Sequence, residues 1–192
     1  REDLVFACRQ PHGEEECSWI YWGGEDGFSE ARRTALRTYR ACDVALGDFD
    51  DNGCDDIAFC QGHTLDLFTR DSLLYRGGND PGGESLGLES HDGRRIFLGR
   101  PRGAGRPALA LVNAQARRKI EDVPVSIYAG GPDGFSATRR QDLPGWGAVS
   151  ALCCDLDDDG RADLVLVNSS HNTPSRDPGS YIYLNDNGEF RD

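Results

Sequence analysis

The sequence predicts an all-β fold built from β-propeller blades, and three observations lead to this prediction. The 192 residues include 24 glycines and 9 prolines, so few stretches are long enough for a helix and many short strands are favoured. An acidic turn and a glycine-rich turn each recur along the chain at the same offset of 107 residues. Short apolar runs flank these turns, and about four short strands in a repeat of roughly 53 residues are typical of a propeller blade.

The acidic turn is the first repeated motif. It reads Asp-Phe-Asp-Asp-Asn-Gly-Cys-Asp-Asp at 48–56 and Asp-Leu-Asp-Asp-Asp-Gly-Arg-Ala-Asp at 155–163. Both copies follow the pattern D-x-D-x-[DN]-G-x-x-D, with side-chain oxygens at alternate positions before a glycine that permits a sharp turn. Ca²⁺ requires oxygen ligands of this kind. The alternative is an Asx turn without a metal, held by hydrogen bonds between side chains and backbone.

The alternation within the motif predicts which residues bind the ion. We assign the ligands to Asp48, Asp50, Asn52, the Cys54 carbonyl and Asp56, and to Asp155, Asp157, Asp159, the Arg161 carbonyl and Asp163. Asp51, Asp55 and Asp158 are expected to point into solvent. An EF-hand is excluded because Phe59 and Leu166 stand where that loop needs a bidentate acid. One turn supplies all the ligands, so we expect a structural ion rather than one that activates a substrate.

The glycine-rich turn is the second repeated motif. Ile-Tyr-Trp-Gly-Gly-Glu-Asp-Gly-Phe-Ser at 20–29 corresponds to Ile-Tyr-Ala-Gly-Gly-Pro-Asp-Gly-Phe-Ser at 127–136, and Leu-Tyr-Arg-Gly-Gly at 74–78 lies between them. The aromatic residues before the glycines are expected to pack between blades. A middle acidic turn is degenerate, because Arg100, Arg102 and Ala108 replace three acidic positions.

The ends of the chain complete the repeat. Residues 1–6 align with 161–166, so the chain is expected to begin inside an acidic turn of which Asp3 remains. The predicted units are 1–47, 48–99, 100–154 and a partial 155–192, about three and a half units in a single segment. In the unit that contains the first acidic turn, the predicted strands are 44–46, 57–60, either 65–69 or 73–75, and a short outer strand.

Together, an apolar strand, the acidic turn, a second apolar strand and a later G-G-x-D-G-F turn resemble the FG-GAP repeat of integrin alpha-subunit propellers and the related VCBS repeats. The likeness covers nearly the whole chain. It implies a seven-bladed propeller with Ca²⁺ in the turns on one face, secretion, and a role in adhesion or ligand binding without catalysis. The chain holds about half the units that such a ring needs, so closure is expected to require further sequence, another copy or an open stack.

The charge and the cysteine content limit the classes of partner and the cellular compartment that fit this chain. The formal net charge of -12 argues against a nucleic-acid partner, because phosphate binding needs clustered Lys and Arg. Cys8 with Cys17, and Cys42 with Cys60, could face each other across neighbouring strands, and disulfides there would indicate an oxidising compartment. Buried free thiols are the alternative. No apolar run of membrane-spanning length and no initiating Met is present, so we expect an excised segment of a longer extracellular or cell-surface protein.

The leading functional prediction is a calcium-stabilised, non-catalytic scaffold or interaction module with a protein or glycan ligand. One alternative is a propeller lectin that stacks sugars on Trp19, Trp22 or Trp146. Another is a polysaccharide lyase or hydrolase. The four histidines, at positions 12, 63, 91 and 171, fall in polar loops and are expected to be solvated. Asn168 begins an N-glycosylation sequon.

Overall fold

The computed structural model is all-β, which confirms the predicted class. It describes residues 1–9, 17–63, 69–78, 80–99, 107–115, 122–131, 134–169, 179–187 and 189–191. The strands are β1 (Leu4–Phe6), β2 (Cys17–Tyr21), β3 (Arg33–Arg37), β4 (Ala41–Gly47), β5 (Asp56–Gln61), β6 (Ser72–Tyr75), β7 (Ser85–Leu88), β8 (Gly93–Gly99), β9 (Ala108–Asn113), β10 (Val125–Gly131), β11 (Gly134–Leu143), β12 (Ser150–Cys154), β13 (Asp163–Val167), β14 (Tyr181–Asp186) and β15 (Glu189–Arg191). One short 3-10 helix spans Glu30–Arg32. In the described part of the chain, no helix has the length and apolar character needed to cross a bilayer.

The strands form four antiparallel sheets that follow one another along the chain. Sheet I contains β1-β2-β3, sheet II β4-β5-β6-β7, sheet III β8-β9-β10-β11 and sheet IV β12-β13-β14-β15. Each strand pairs with its neighbours in sequence. Sheet I has one strand fewer than the others because β1 corresponds to the second strand of each four-stranded sheet.

The sheets begin one strand earlier than the predicted units do. The first acidic turn joins β4 to β5, with Gly47 opposite Asp56, and the second joins β12 to β13, with Cys154 opposite Asp163. Each turn is therefore a hairpin within one sheet, whereas the predicted boundaries at 48 and 155 cut through these hairpins. Of the two alternatives for the third strand of sheet II, 73–75 lies in β6; of 65–69, only Thr69 falls within the described residues.

Three apolar cores lie between successive sheets. The core between sheets I and II contains Ile20, Leu36, Ala41, Ile57, Phe59 and Tyr75. That between sheets II and III includes Ala45, Phe49, Ala58, Cys60, Leu74, Leu109, Tyr128 and Phe135. That between sheets III and IV includes Ala110, Val112, Val125, Ile127, Leu164, Leu166 and Tyr183. Because side chains alternate along a strand, β5 contributes to the cores on both of its faces.

Equivalent tyrosines tie each sheet to the one before it. The hydroxyl of Tyr75 in sheet II donates to the Arg37 carbonyl of sheet I at 2.5 Å. Tyr128 in sheet III likewise donates to the carbonyl of Glu89 at 3.0 Å. In sheet IV, the Tyr183 hydroxyl donates to the Pro144 carbonyl at 2.6 Å. A buried hydroxyl needs such a partner, so the motif tyrosine both fills the core and sets the contact between sheets.

Side-chain amides hold the linkers between sheets in the same recurrent way. The Gln61 amide oxygen accepts the Tyr39 N–H at 2.5 Å, and that of Asn113 accepts the His91 N–H at 2.9 Å. Asn168 repeats the arrangement with the N–H of Trp146 at 3.1 Å. The three junctions are thus built from the same parts, although their linker sequences differ.

The seven cysteines, all within the described residues, are free thiols, so the two predicted disulfides are not present in the structure. Cys42 lies at a bulge of β4, where Asp43 rather than Cys42 stands opposite Cys60. Its thiol points to the Gly93 carbonyl of sheet III at 3.0 Å. Contact with Cys42 and complete burial raise the pKa of Cys60. Near the chain start, the Cys8 thiol turns back towards the carbonyl of Phe6 on its own strand, and burial raises the pKa of Cys8.

Candidate metal sites in the acidic turns

The two acidic turns have the same backbone conformation. Asp51 and Asp158 both have φ of 60°. Two residues further on, Gly53 and Gly160 have φ of 85° and 87°, in the left-handed region that glycine adopts without steric cost. The glycine of the motif is therefore required by the turn itself.

The first aspartate of each turn holds this conformation. The carboxylate of Asp48 accepts the N–H groups of Asn52 at 3.0 Å and Gly53 at 2.8 Å. Asp155 accepts the corresponding N–H groups of Asp159 and Gly160 at 3.1 and 2.9 Å. These are the Asx-type bonds expected for the turn with or without a metal.

The last aspartate of each turn joins three segments of its sheet. Asp56 is buried, and its two oxygens accept the N–H groups of Phe49 at 3.0 Å and Gly77 at 2.7 Å. A Cβ on Gly77 would lie 2.3 Å from the Asp55 carbonyl oxygen, which explains the first glycine of the Gly-Gly pair.

The second turn has the same bridging carboxylate. Asp163 is buried and accepts the N–H groups of Leu156 at 2.7 Å and Asn185 at 2.8 Å. In both turns, one carboxylate accepts one N–H from its own turn and a second N–H from the third strand or from the turn after that strand. We call this arrangement the aspartate bridge. Sequence reasoning assigned both bridging residues only as metal ligands and missed this role, although the glycine pair that accompanies the first bridge was visible.

The first turn gathers three carboxylates. Oxygens of Asp48, Asp50 and Asp56 all lie within 4.8 Å of one another. Oδ1 of Asp50 is buried and accepts no hydrogen bond. Burial raises the pKa of Asp56, two backbone N–H bonds oppose that rise, and the charges of Asp50 and Asp48 add to it. Clustered carboxylates with an unsatisfied oxygen have the chemistry of a site for a hard cation.

Sheet III covers this cluster. The ring of Phe49 packs edge-on against Phe135, with 5.1 Å between ring centroids, and Phe49 is only 2% exposed. A Cβ on Gly134 would lie 3.2 Å from the Cβ of Asp50. The Gly-Phe turn of one sheet therefore closes over the acidic turn of the preceding sheet.

The second turn gathers a different and more exposed set of carboxylates. Oxygens of Asp155, Asp157 and Asp159 lie within 4.8 Å of one another, and the bridging Asp163 is outside this group. The guanidinium of Arg161 forms an ion pair with Asp159 and donates to the Asn185 carbonyl at 2.7 Å. A bound cation would compete with this guanidinium for the Asp159 carboxylate.

The remaining predicted ligand positions are placed as follows. The Asn52 side-chain oxygen accepts the Cys54 N–H at 2.7 Å, and Cys54 is exposed. Metal binding by the carbonyls of Cys54 and Arg161 stays a prediction. Arg100 and Arg102 of the middle turn lie outside the described residues. Ala108 has no carboxylate to form the aspartate bridge. The carbonyl of Pro107 instead accepts the Gly130 N–H at 2.9 Å, which corresponds to the bond from Gly77 to Asp56.

The tryptophans predicted to stack on sugars occupy three different environments. The Trp22 indole N–H donates to Thr34 at 2.9 Å, and its ring packs against the core between sheets I and II. The Arg33 guanidinium lies over the Trp19 ring, 3.9 Å from its centroid. Trp146 stands in the linker between sheets III and IV. The structure does not bring the three together.

Two histidines have carboxylate partners rather than full exposure to solvent. Nδ1 of His63 lies 2.6 Å from buried Asp92, which also pairs with Arg94 at 2.6 Å. His91 lies 3.3 Å from Glu89, which pairs with Arg140. The expectation of solvated loop histidines is wrong for these two, because each is mostly buried beside a carboxylate of the linker between sheets II and III. His12 and His171 lie outside the described residues.

The Asn168 amide is engaged by the backbone. Besides accepting the Trp146 N–H, it donates to the Gly179 carbonyl at 3.1 Å. Its position matches Gln61 and Asn113, so a structural role explains this residue. Ser170, the last residue of the sequon, lies outside the described residues.

A cavity of about 460 Å³ lies between sheets III and IV. Its apolar lining includes Ile127, Leu164 and Phe190, and its polar lining includes Arg140 and Gln141. Gly99 and Pro107, which flank residues 100–106, also line it.

The chain matches no known protein family and no curated protein.

Proposed function

We propose that the four sheets are blades of a β-propeller stabilised by Ca²⁺, which acts as a non-catalytic scaffold and interaction module at the cell surface. The observation that carries this proposal is the buried Oδ1 of Asp50, which accepts no hydrogen bond within a group of three carboxylates. A buried oxygen without a hydrogen-bond partner is unfavourable, and the two other carboxylates within 4.8 Å repel it. A divalent cation would pair with the oxygen and reduce the repulsion.

The repeated junctions support the blade interpretation. Three successive pairs of sheets share a tyrosine-to-carbonyl bond, an amide-held linker and a closed apolar core. Each core uses one face of each sheet, so the sheets stack as repeated units do. Two arguments support the extracellular location. The repeat resembles secreted repeats, and Ca²⁺ sites of low affinity are occupied at the millimolar Ca²⁺ concentrations found outside cells.

The scaffold role is favoured over catalysis and over a lectin. The described histidine pairs are built into junctions between sheets, where the N–H of His63 also donates to Asp92. Among the predicted sugar platforms, Trp22 is held by Thr34 and Trp19 is covered on one face by Arg33.

The test is thermal unfolding after EDTA treatment, with and without Ca²⁺. At a Ca²⁺ concentration of about 100 times Kd, binding adds about 2.7 kcal/mol to the free energy of unfolding. For a chain of this size that raises Tm by roughly 5–10 °C. Asp50→Ala should lose the part of the increase that comes from Ca²⁺ in the first turn. Asp55→Ala, which removes an exposed carboxylate of the same turn, is the matched control and should keep it. No shift with Ca²⁺ or with EDTA would remove the metal from the proposal.

A further inference from the structure

The cavity of about 460 Å³ lies between two four-stranded sheets, so it can be compared with the same region of the junction between sheets II and III. Phe190 of sheet IV lines the cavity and stands opposite Asn185. In sheet III, Phe135 stands opposite Gly130 in the same way. Each phenylalanine packs against the core shared with the preceding sheet, so Phe190 is the counterpart of Phe135.

An aromatic ring fills the space in front of Phe135. The ring of Phe49 packs edge-on against it, with 5.1 Å between the ring centroids, and Phe49 is almost completely buried. The turns that follow β4 and β8 have the same length between their paired strands, so Pro101 stands at the sequence position of Phe49. Pro101 lies outside the described residues. The sequence therefore supplies no phenyl ring at this position of sheet III.

A second side chain is also smaller at the junction between sheets III and IV. Leu98 stands opposite Leu109 and packs against the core between sheets II and III. At the matching position of sheet IV, Cys153 stands opposite Leu164, and both line the cavity. Replacement of a leucine by a cysteine leaves apolar space unfilled. The smaller side chain and the missing phenyl ring account for the apolar part of the cavity.

The polar part of the cavity carries positive charge. Arg139 and Arg140 line it, and none of the lining residues that the structure describes is acidic. Arg140 already forms ion pairs with two carboxylates. Within the described part of the chain, Arg139 instead donates to the carbonyls of Ala129 and Gly134, which do not neutralise its charge. Thr138 lines the cavity and is exposed, so the cavity opens to solvent beside Arg139.

We propose that this cavity binds a small aromatic carboxylate. The aromatic ring takes the place that Phe49 fills in the preceding junction and packs edge-on against Phe190, an arrangement that aromatic pairs favour. The carboxylate accepts hydrogen bonds from the guanidinium of Arg139, which binds carboxylates more strongly than neutral groups. The volume lies within the range of small-molecule sites, roughly 300–1,000 Å³. The site is separate from both acidic turns and goes beyond the calcium-stabilised scaffold.

The binding experiment titrates the whole 192-residue chain, in EDTA, with 3-phenylpropanoate. This probe has the phenyl ring of a phenylalanine side chain and one carboxylate. A ligand of this size in a well-formed site should bind with a Kd of about 0.1–1 mM. In ¹H–¹⁵N NMR spectra, the amide signals of Ala110, Gln141 and Leu164 should shift and saturate together, and the signals of sheet I should not move.

The contributions of the ring and of the charge are separated by changing the ligand, which leaves the protein untouched. Propanoate lacks the ring and should not bind detectably at the same concentration. The neutral 3-phenylpropanamide keeps the ring and should bind about tenfold more weakly, because it cannot form a charge-assisted hydrogen bond. Arg139→Gln should weaken binding of the acid by a similar factor and leave the acid and the amide with equal affinity.

The location is tested by filling the cavity. Cys153→Leu introduces the side chain that Leu98 has at the matching position, and it should weaken binding at least tenfold because it occupies the space of the ring. Cys54→Leu is the matched control, since it makes the same replacement at an exposed cysteine outside the cavity, and it should leave the affinity unchanged. NMR spectra of the unliganded variants verify that both fold.

The proposal is overturned if about 5 mM 3-phenylpropanoate gives no saturable shifts, since this concentration exceeds the expected Kd several-fold. It is also overturned if the amide binds as tightly as the acid, or if Cys153→Leu binds the acid as well as the parent chain does. The titration contains no free Ca²⁺, so its failure does not affect the metal sites, and a failed Ca²⁺ titration does not affect the cavity.

Discussion

The two acidic turns have one motif and one set of hydrogen bonds but lie in different surroundings. Each has a left-handed aspartate, a left-handed glycine, a first carboxylate bonded to two N–H groups and a buried bridging aspartate. The residue after the first aspartate is Phe49 in one turn, 2% exposed, and Leu156 in the other, 47% exposed. Sheet III covers the first turn, while sheet IV has no described sheet beyond it.

The comparison separates what the nine residues determine from what a neighbouring sheet adds. Backbone conformation and internal hydrogen bonds are the same in both turns, so they are local properties of the motif. Burial of the second residue differs with the sheet that packs over the turn. The clustered carboxylates also differ, in part because the fifth position is Asn52 in one turn and Asp159 in the other. Each prediction below changes matched positions in the two turns.

The largest difference is expected when the second residue of each turn is truncated. Phe49→Ala removes a buried ring from the core between sheets II and III and should lower the free energy of unfolding by about 3–5 kcal/mol. Leu156→Ala removes a side chain already half in solvent and should change it by less than about 0.5 kcal/mol. Urea unfolding followed by circular dichroism measures both. Similar losses at the two positions would mean that Leu156 is covered in solution, contrary to the structure.

The bridging aspartates should instead behave alike. Asp56→Ala and Asp163→Ala each leave two buried N–H groups without an acceptor, and each should cost about 2–4 kcal/mol by the same urea measurement. The Asn variants keep one acceptor oxygen and should cost less. Because burial raises the pKa of Asp56, its ionised form opposes folding in the metal-free protein. This destabilisation is absent at pH values below the ordinary pKa of an aspartate and grows as the pH rises through the raised pKa of Asp56. A large loss at one bridge and none at the other would show that the bridge is not local.

Much of this arrangement was predictable from the sequence. The repeat offset located both turns, and the short apolar runs predicted strands on either side of them. The unit boundaries are offset from the sheets because a repeat can be divided at any position in its period, and only strand pairing shows that each acidic turn lies within a hairpin. The motif also suggested matching ligand positions, whereas the bridging Asp56 belongs to the carboxylate cluster of its turn and the bridging Asp163 does not.

Several features depend on contacts that no motif encodes. The Cys42 and Cys60 thiols were correctly placed on neighbouring strands, but a bulge shifts their register and the structure leaves both thiols free. The carboxylate partners of His63 and His91 were missed because Asp92 and Glu89 lie in a linker with no recognisable pattern. The Asn168 sequon is better explained by comparison with Gln61 and Asn113, which required all three junctions to be seen together.

The smallest expected effect concerns Arg161, which has no basic counterpart in the first turn. Its guanidinium pairs with Asp159, and both side chains are about a quarter exposed, at 28% and 24%. Solvent screening limits such a pair to about 1 kcal/mol, so releasing it should strengthen Ca²⁺ binding by the second turn up to about fivefold. Calorimetric titration of Arg161→Gln in an Asp50→Ala background isolates that turn.

The reciprocal change is Cys54→Arg in an Asp157→Ala background. It should weaken Ca²⁺ binding by the first turn, since it places a guanidinium at the matched position. If Arg161→Gln leaves the affinity unchanged, the ion pair does not compete with the metal.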